Sequence, residues 1–276
     1  MRIARVASAV TIPDGPRDVS NGSPIYAVHV LLRYFSVLGS EPAAFLILIA
    51  AFLVSMVLGL ALHEAAHAFV ADRMGDRTPR RAGRLTLDPR AHLDPIGSAL
   101  ILFVGFGWAK PVPVSPNSVA NPRLHMVLVA AAGPLTNLAI AGIAGIAIKT
   151  GAVPFFHPFI SPGLADVAAQ VWTSSATNLL GLFLGTIVLL NVLLAVFNLL
   201  PLAPLDGFRV ATGLLPPEIG RVVARYEAWG PGVLLLLFLV PYLTAGQYNP
   251  LFTVMSPLID FFLRLFAETS GGLRAA

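Results

Sequence analysis

Residues 43–62 read AAFLILIAAFLVSMVLGLAL, twenty positions without one charge. At about 1.5 Å of rise per residue, such a run crosses a hydrocarbon core of about 30 Å. Lipid offers the backbone no hydrogen-bond partners, so the run is expected to be a helix, and the rest of the chain must be arranged around it. Directly after it stand His63, Glu64 and His67, in HEAAH. Residues four apart share a helix face with Cβ atoms about 5–6 Å apart, so both imidazoles can hold one metal ion. Glu64 lies about 100° round the helix, where it can reach a water on that metal. As a bare pattern HExxH also occurs on solvated helix surfaces. Within a membrane helix, however, a charged group costs about 2.5–3.5 kcal/mol on insertion scales, and such residues face a cavity or a partner. Snorkelling to the interface fits a lone histidine better than this trio; a metal accounts for all three.

Composition excludes a soluble domain. The 276 residues are 56% hydrophobic and 12% charged, with a mean hydropathy of +0.79, which marks an integral membrane protein. The net charge of +4 is no sign of nucleic-acid binding, because the cations sit where they orient the chain. Arg73, Arg77, Arg80, Arg81, Arg84 and Arg90 follow the first long helix, and the positive-inside rule makes that end cytoplasmic. Sixteen of the eighteen basic residues are arginine, and Ala, Gly and Pro abound, as in a GC-rich bacterial genome; the expected location is the bacterial inner membrane. With no cysteine there is neither a disulfide framework nor a thiolate ligand, so a metal must be held by histidine and carboxylate.

The expected fold class is an all-α polytopic membrane protein. About five to six transmembrane or partly inserted helices would surround the metal site, with a small extended or β segment near 108–114. Residues 1–41 lack the apolar core of a signal peptide. Within them, 25–38 are apolar but short and carry His29 and Arg33, which predicts an interfacial helix and an outside N-terminus. Residues 42–268 form the membrane domain and 269–276 a tail. Helices are predicted over 42–74, 123–149 and 177–200, with a short one at 208–215. An outside loop spans 150–172, and 233–243 with 251–266 make a closing hairpin or two short spans. The run 96–106 is too short for a full span and reads as a tilted or re-entrant piece. In GWAKPVPVSP, Pro111 and Pro113 rule out helix and favour extended backbone. They leave one edge without donors, while Val112 and Val114 keep theirs on the other. An interfacial polyproline-like loop is the competing description.

Two histidines make an incomplete zinc site, since a catalytic zinc usually has three protein ligands and an open position. The third must reach the cytoplasmic end, where the helix over 177–200 also ends, in NLLPLAPLDG. Its prolines let the backbone line a cavity, and Asp206 is the expected ligand, although Asp-Gly is also a common turn pair. His92 and Asp94 lie in a basic loop and suit capping or interfacial anchoring. His29 and His157 fall on the opposite side, and His125 starts a helix at the membrane surface.

With HEAAH, the GPLTN of residues 133–137, and FNLLPLAPLDG ending at Gly207, the chain resembles the site-2 protease family of intramembrane zinc metalloproteases. GRLTLDPRAHLDPIG and GWAKPVPV are similar to its small bacterial branch, which has no PDZ or CBS domain. The likeness covers about residues 43–266; it departs in Ala203, inside the proline-rich turn, and leaves the first forty residues without a counterpart. It implies that Asp206 is the third zinc ligand beside His63 and His67, and that Asn198 assists the substrate carbonyl.

The expected activity is hydrolysis of a peptide bond in or beside a transmembrane segment of another protein, with Glu64 as general base and Zn2+ as cofactor. The partners are the lipid bilayer and a membrane-protein substrate whose transmembrane helix is unwound to an extended form; nucleic acid is not among them. Val112 and Val114, on the open strand edge, and Asn137, of GPLTN, are the expected substrate-binding residues. A metal transporter would use the same cluster as a transit site with Glu64 as proton carrier. Against it stand the absence of further intramembrane carboxylates in a chain and of an internal repeat.

Overall fold

Pro42 sits in the first turn of the longest helix, where a missing N–H costs nothing because the first four are unpaired anyway. The structure, a computed structural model, describes residues 35–98, 107–115, 119–160 and 164–268. The expected interfacial helix before residue 35, most of the 96–106 run and the 269–276 tail lie outside them. A short helix α1 (Phe35–Ser40) leads into α2 (Pro42–Arg73), which has 32 residues. At 1.5 Å per residue that is about 48 Å, more than a bilayer core, so α2 is either tilted or projects beyond it. It ends at Met74, and Gly75, at φ +100°, turns the chain away. Two single turns follow, α3 (Thr78–Arg81) and α4 (Pro89–His92).

Helix α5 (Pro122–Lys149) and α7 (Ala176–Asn198) complete a three-helix centre with α2. Their starts are set by side-chain caps: Asn121 accepts the Leu124 N–H at 3.1 Å, and Ser175 accepts the Asn178 N–H at 3.1 Å. Pro134 lies inside α5 without ending it. After α7 come α8 (Asp206–Leu214), α9 (Pro217–Ala224), a 3-10 turn (Glu227–Trp229), α10 (Gly230–Leu243) and α11 (Pro250–Ala267). Among the described residues, five helical stretches are long and apolar enough to cross a membrane: Pro42–Arg73, Pro122–Lys149, Ala176–Asn198, Pro217–Leu243 and Pro250–Ala267. The chain is an all-α polytopic membrane protein.

Two apolar clusters hold the bundle. One joins α5, α7 and α11 through Ile148, Val188, Val192, Val196, Met255 and Ile259. In the other, Phe45 and Leu48 of α2 meet Phe156, Leu182 and the fully buried Trp172. Trp172 belongs to α6 (Ala165–Thr173), so the expected outside loop over 150–172 contains a packed helix. Its alanines give it a narrow buried stripe in place of a long apolar run.

The expected β segment is reduced to one pairing. Among the described residues the bridge is Leu93 with Ala109, antiparallel, and Lys110 N–H donates to the His92 carbonyl at 2.7 Å. Beyond it residues 111–115 stay out of any ladder, since two prolines supply no donors. The far end is tied down by Asp76, which is fully buried and accepts the Thr78 N–H at 2.9 Å and the Ser115 N–H at 2.6 Å. Burial pushes this carboxyl up, but the bonds from Thr78 and Ser115 outweigh that and hold it below the usual carboxylate range.

Asp76→Ala leaves both N–H groups without their acceptor. Hydrogen bonds to a charged group are worth about 1.5–3 kcal/mol, so thermal unfolding of the purified protein in detergent is expected at a clearly lower temperature. An unchanged Tm would mean that residues 111–115 are not anchored there.

Candidate metal centre

His63 and His67 project from one face of α2, with ring centroids 4.7 Å apart and planes at 85°. The chain returns to them 143 residues after His63, at the first residue of α8. There one carboxylate oxygen, Asp206 Oδ2, lies 3.1 Å from His63 Nε2 and 3.2 Å from His67 Nε2. Burial would raise the Asp206 carboxyl, and the two imidazoles bonded to it more than offset this, leaving it below the usual range and ionised. Among the described residues, these three form the cluster able to hold a metal ion.

The outward nitrogens of both rings are already occupied. His67 Nδ1 lies 2.6 Å from the Val129 carbonyl oxygen, and His63 Nδ1 lies 2.6 Å from Asn137 Oδ1. An imidazole that donates through Nδ1 keeps its Nε2 lone pair for a metal, the usual support of a metal-binding histidine. Val129, Gly133 and Asn137 follow one another at intervals of four along α5. They therefore form a stripe that runs opposite His67 and His63 on α2. Gly133 occupies the middle of that stripe for a steric reason. A Cβ there would sit 2.5 Å from His63 Nε2 and 2.6 Å from His67 Nε2, inside the space between the donors.

This donor set fits zinc. Two imidazoles and one carboxylate leave a fourth position open, as in catalytic sites. Tetrahedral bonds of about 2.0–2.2 Å keep donor atoms about 3.3–3.6 Å apart, close to the distances from Asp206 Oδ2 to the two Nε2 atoms.

The other expected residues are placed as follows. Glu64 is half-buried on α2 beside the cluster. Asn198 is the last residue of α7 and donates through Nδ2 to the Leu194 carbonyl at 2.9 Å. Asn137, expected on the substrate, is fully buried, and its amide is engaged by His63, the Gly59 carbonyl and Asn191. It stands behind a histidine, away from any surface a substrate could reach. Val112 and Val114 are half-buried in the extended stretch, alternating with the more exposed Pro111 and Pro113. Asp94 caps a turn by accepting the Ile96 and Gly97 N–H groups at 3.0 and 2.8 Å. His92 Nε2 bonds the Thr86 carbonyl at 2.9 Å, and His125 is buried with Nε2 3.8 Å from Asp76. The sequence reading missed the carbonyl of Val129, the steric role of Gly133 and the position of Asn191. One signal was available: Gly133 and Asn137 repeat the four-residue spacing of His63 and His67.

Gly133→Ala puts a methyl group between the imidazoles and is expected to abolish zinc binding in a folded protein. Asp206→Ala should weaken it severely, whereas Asp94→Ala should leave it intact. Metal analysis of the three purified variants decides this, and full zinc occupancy in Gly133→Ala would refute the steric argument.

Comparison with known proteins bears on the same residues. The family model described as "Peptidase family M50" matches residues 51–239, a stretch that includes all three members of the cluster. A Bacillus subtilis protein named "Putative zinc metalloprotease YwhC" is 38% identical over 214 residues, covering 78% of this chain and 90% of that protein. "Putative zinc metalloprotease Rip2" of Mycobacterium tuberculosis is 31% identical over 250 residues, covering 85% of this chain and 87% of that protein. Its namesake in Mycolicibacterium smegmatis is 30% identical over 215 residues, 74% of this chain and 71% of that protein. No solved structure matches. The chain belongs to peptidase family M50, the site-2 proteases, and is an integral membrane zinc metalloprotease.

Proposed function

We propose that residues 42–268 form a protease domain in which His63, His67 and Asp206 hold the zinc. Its substrate would be a peptide bond in or beside a transmembrane segment of another membrane protein. The observation that carries this is the convergence of three donors from distant parts of the chain upon a space that Gly133 keeps clear. Zinc bound there supplies Lewis acidity that lowers the pKa of a water towards about 7 and polarises a carbonyl. The Glu64 carboxylate takes a proton from the attacking water as its oxygen adds to the scissile carbonyl carbon. When the C–N bond breaks, the same carboxyl returns that proton to the leaving nitrogen. Asn198, half-buried at the end of α7, assists the carbonyl oxygen; one such donor is worth about 2.7–4 kcal/mol.

The arginines after α2 support a cytoplasmic position for this end of the bundle, in the inner membrane of a bacterial cell. Water then reaches the site from the cytoplasmic face, consistent with the 17% exposure of the Asp206 side chain against 5% for that of His63. A transmembrane helix shields its own carbonyls, so the substrate must unwind locally, and its freed backbone groups need partners. The extended stretch 110–114 supplies them by strand addition, through Val112 and Val114. Its anchoring by Asp76 and by the Leu93–Ala109 bridge supports that role, because an edge held at both ends loses little entropy on pairing.

Glu64→Gln is expected to retain zinc and to lose about 10²–10⁴-fold in cleavage, since the amide cannot accept the proton. Assay of a reconstituted membrane substrate checks this; cleavage at the wild-type rate would remove Glu64 as the base. Zinc flux through wild-type liposomes that disappears in Glu64→Gln would favour transport instead.

Val112→Pro removes one donor from the pairing edge. Cleavage should fall several-fold at unchanged zinc content, and unimpaired cleavage by the folded variant would exclude strand addition at this position.

A further inference from the structure

Hydropathy marks α11 as apolar but does not say in which direction it runs. The Lys149 ammonium, on the last residue of α5, donates to the Leu265 carbonyl at 2.6 Å. One turn earlier, Gly145 lies so close to Phe266 that an added Cβ would overlap its carbonyl oxygen. The C-terminal end of α11 therefore meets the C-terminal end of α5, on the far side of the bundle from the metal centre. Phe266 is 16 positions after Pro250, about 24 Å of helix. The same length measured back along α5 from Gly145 reaches Val129, whose carbonyl holds His67. Helix α11 packs along both α5 and α7, and Leu251 and Phe252 at its start join the same apolar cluster as Leu200 and Leu205. Hence α11 is parallel to α5 and begins at the depth of the metal centre.

Helix α10 must then begin and end in that same half of the bundle. Its first residue, Gly230, packs on the turn before Asp206, where an added Cβ would overlap the Ala203 carbonyl. Further along, Phe238 reaches Phe197, with ring centroids 6.0 Å apart. Its last residue, Leu243, is joined to Pro250 by a compact turn. There the Gly246 N–H donates to the Pro241 carbonyl at 2.8 Å, and the Tyr248 N–H to Thr244 Oγ1 at 3.2 Å. The 14 residues of α10 make about 21 Å, short of a hydrocarbon core of about 30 Å. No charged residue stands between Glu227 and Asp260, and Leu235, Leu236, Leu239 and Leu243 are exposed. A helix lying among headgroups carries a charged face; an outer surface of leucine needs acyl chains to cover it. The turn also meets what lipid demands, since the N–H groups of residues 244–248 all have acceptors within the chain.

We infer that α10 is a re-entrant helix: it enters the leaflet on the metal-centre side, meets the acyl chains of that leaflet through its leucine face, and returns without crossing. Pro217–Leu243 is apolar enough to span, yet of the last two candidate spans α11 alone crosses. Residue 268 therefore emerges on the membrane face opposite the end of α2. The partner of α10 is the hydrocarbon of one leaflet, beside the segments that carry Asp206 and Asn198.

Because the chain has no cysteine, a single introduced thiol reports alone. Full-length variants in bacterial cells are treated with a membrane-impermeant maleimide, before and after the inner membrane is permeabilised. Two exposed positions mark the faces: Gln170→Cys in α6, which packs near the start of α2, and Ala82→Cys beyond the end of α2. The result is thus independent of which face is cytoplasmic and of the proposed substrate. Glu268→Cys should label as fully as Gln170→Cys in the same sample. Gln247→Cys, in the turn after α10, should stay at the level of Ala82→Cys or below it in that sample. Tyr248→Cys, exposed in the same turn, repeats the measurement should Gln247→Cys fail to fold. Glu268→Cys labelled in the sample that labels Ala82→Cys alone would overturn the inference. So would Gln247→Cys or Tyr248→Cys labelled together with Gln170→Cys, since α10 would then cross.

Discussion

The close approach of α5 to α2 at Gly133 is the constraint on which the rest of the site depends. Both imidazoles turn their Nε2 atoms towards this one position, and the gap between them exists because α5 has no side chain there. Once the helices approach this closely, their facing groups are determined in pairs. Val129 meets His67, and Asn137 meets His63. The histidines are thus oriented by the helix whose small residue gives them room. Asp206 arrives separately, after a proline-rich turn that lets the chain double back beneath the bundle.

Burial in a helix bundle within lipid makes this arrangement strict. An unpaired polar group there has no water to fall back on. Asn137, Asn191 and Thr186 in the central helices are accordingly paired with one another or with backbone carbonyls. Outside the helices the same economy holds for Asp76, whose two oxygens serve two backbone N–H groups. Polarity is concentrated where it orients something: an imidazole at the centre, an extended segment at the end of α2.

Much of this was legible in the amino-acid order because lipid imposes simple rules. Twenty uncharged residues must be a helix, and HExxH on it must bring His63 and His67 to one face. The ends of α2, α5 and α7 fall within one or two residues of where their prolines, glycines and caps put them. Helix α6 was not legible, since nine residues rich in alanine carry neither the length nor the apolar run that mark a span. Asn137 was assigned to the substrate because a polar residue beside a conspicuous motif has no address until the helices are packed. Only the register between α2 and α5 reveals that it backs His63, and Asn191 needs the third helix as well. Pairings across helices are not local, and no periodicity in one segment encodes them.

The separation of 143 positions from His63 to Asp206 has a consequence beyond chemistry. A chain with no cysteine has no disulfide to join α2 to the segment that follows α7. An ion held by both ends would act as that cross-link. In the chain-entropy account of disulfides, closing a loop of about 100 residues is worth about 4.7 kcal/mol, and the value rises only slowly with length. Helix α8 packs on α5, and the ion would add a fastening that covalent structure does not provide. The reactive centre would then also be a reversible clasp of the tertiary structure, released by the same chelation that silences it.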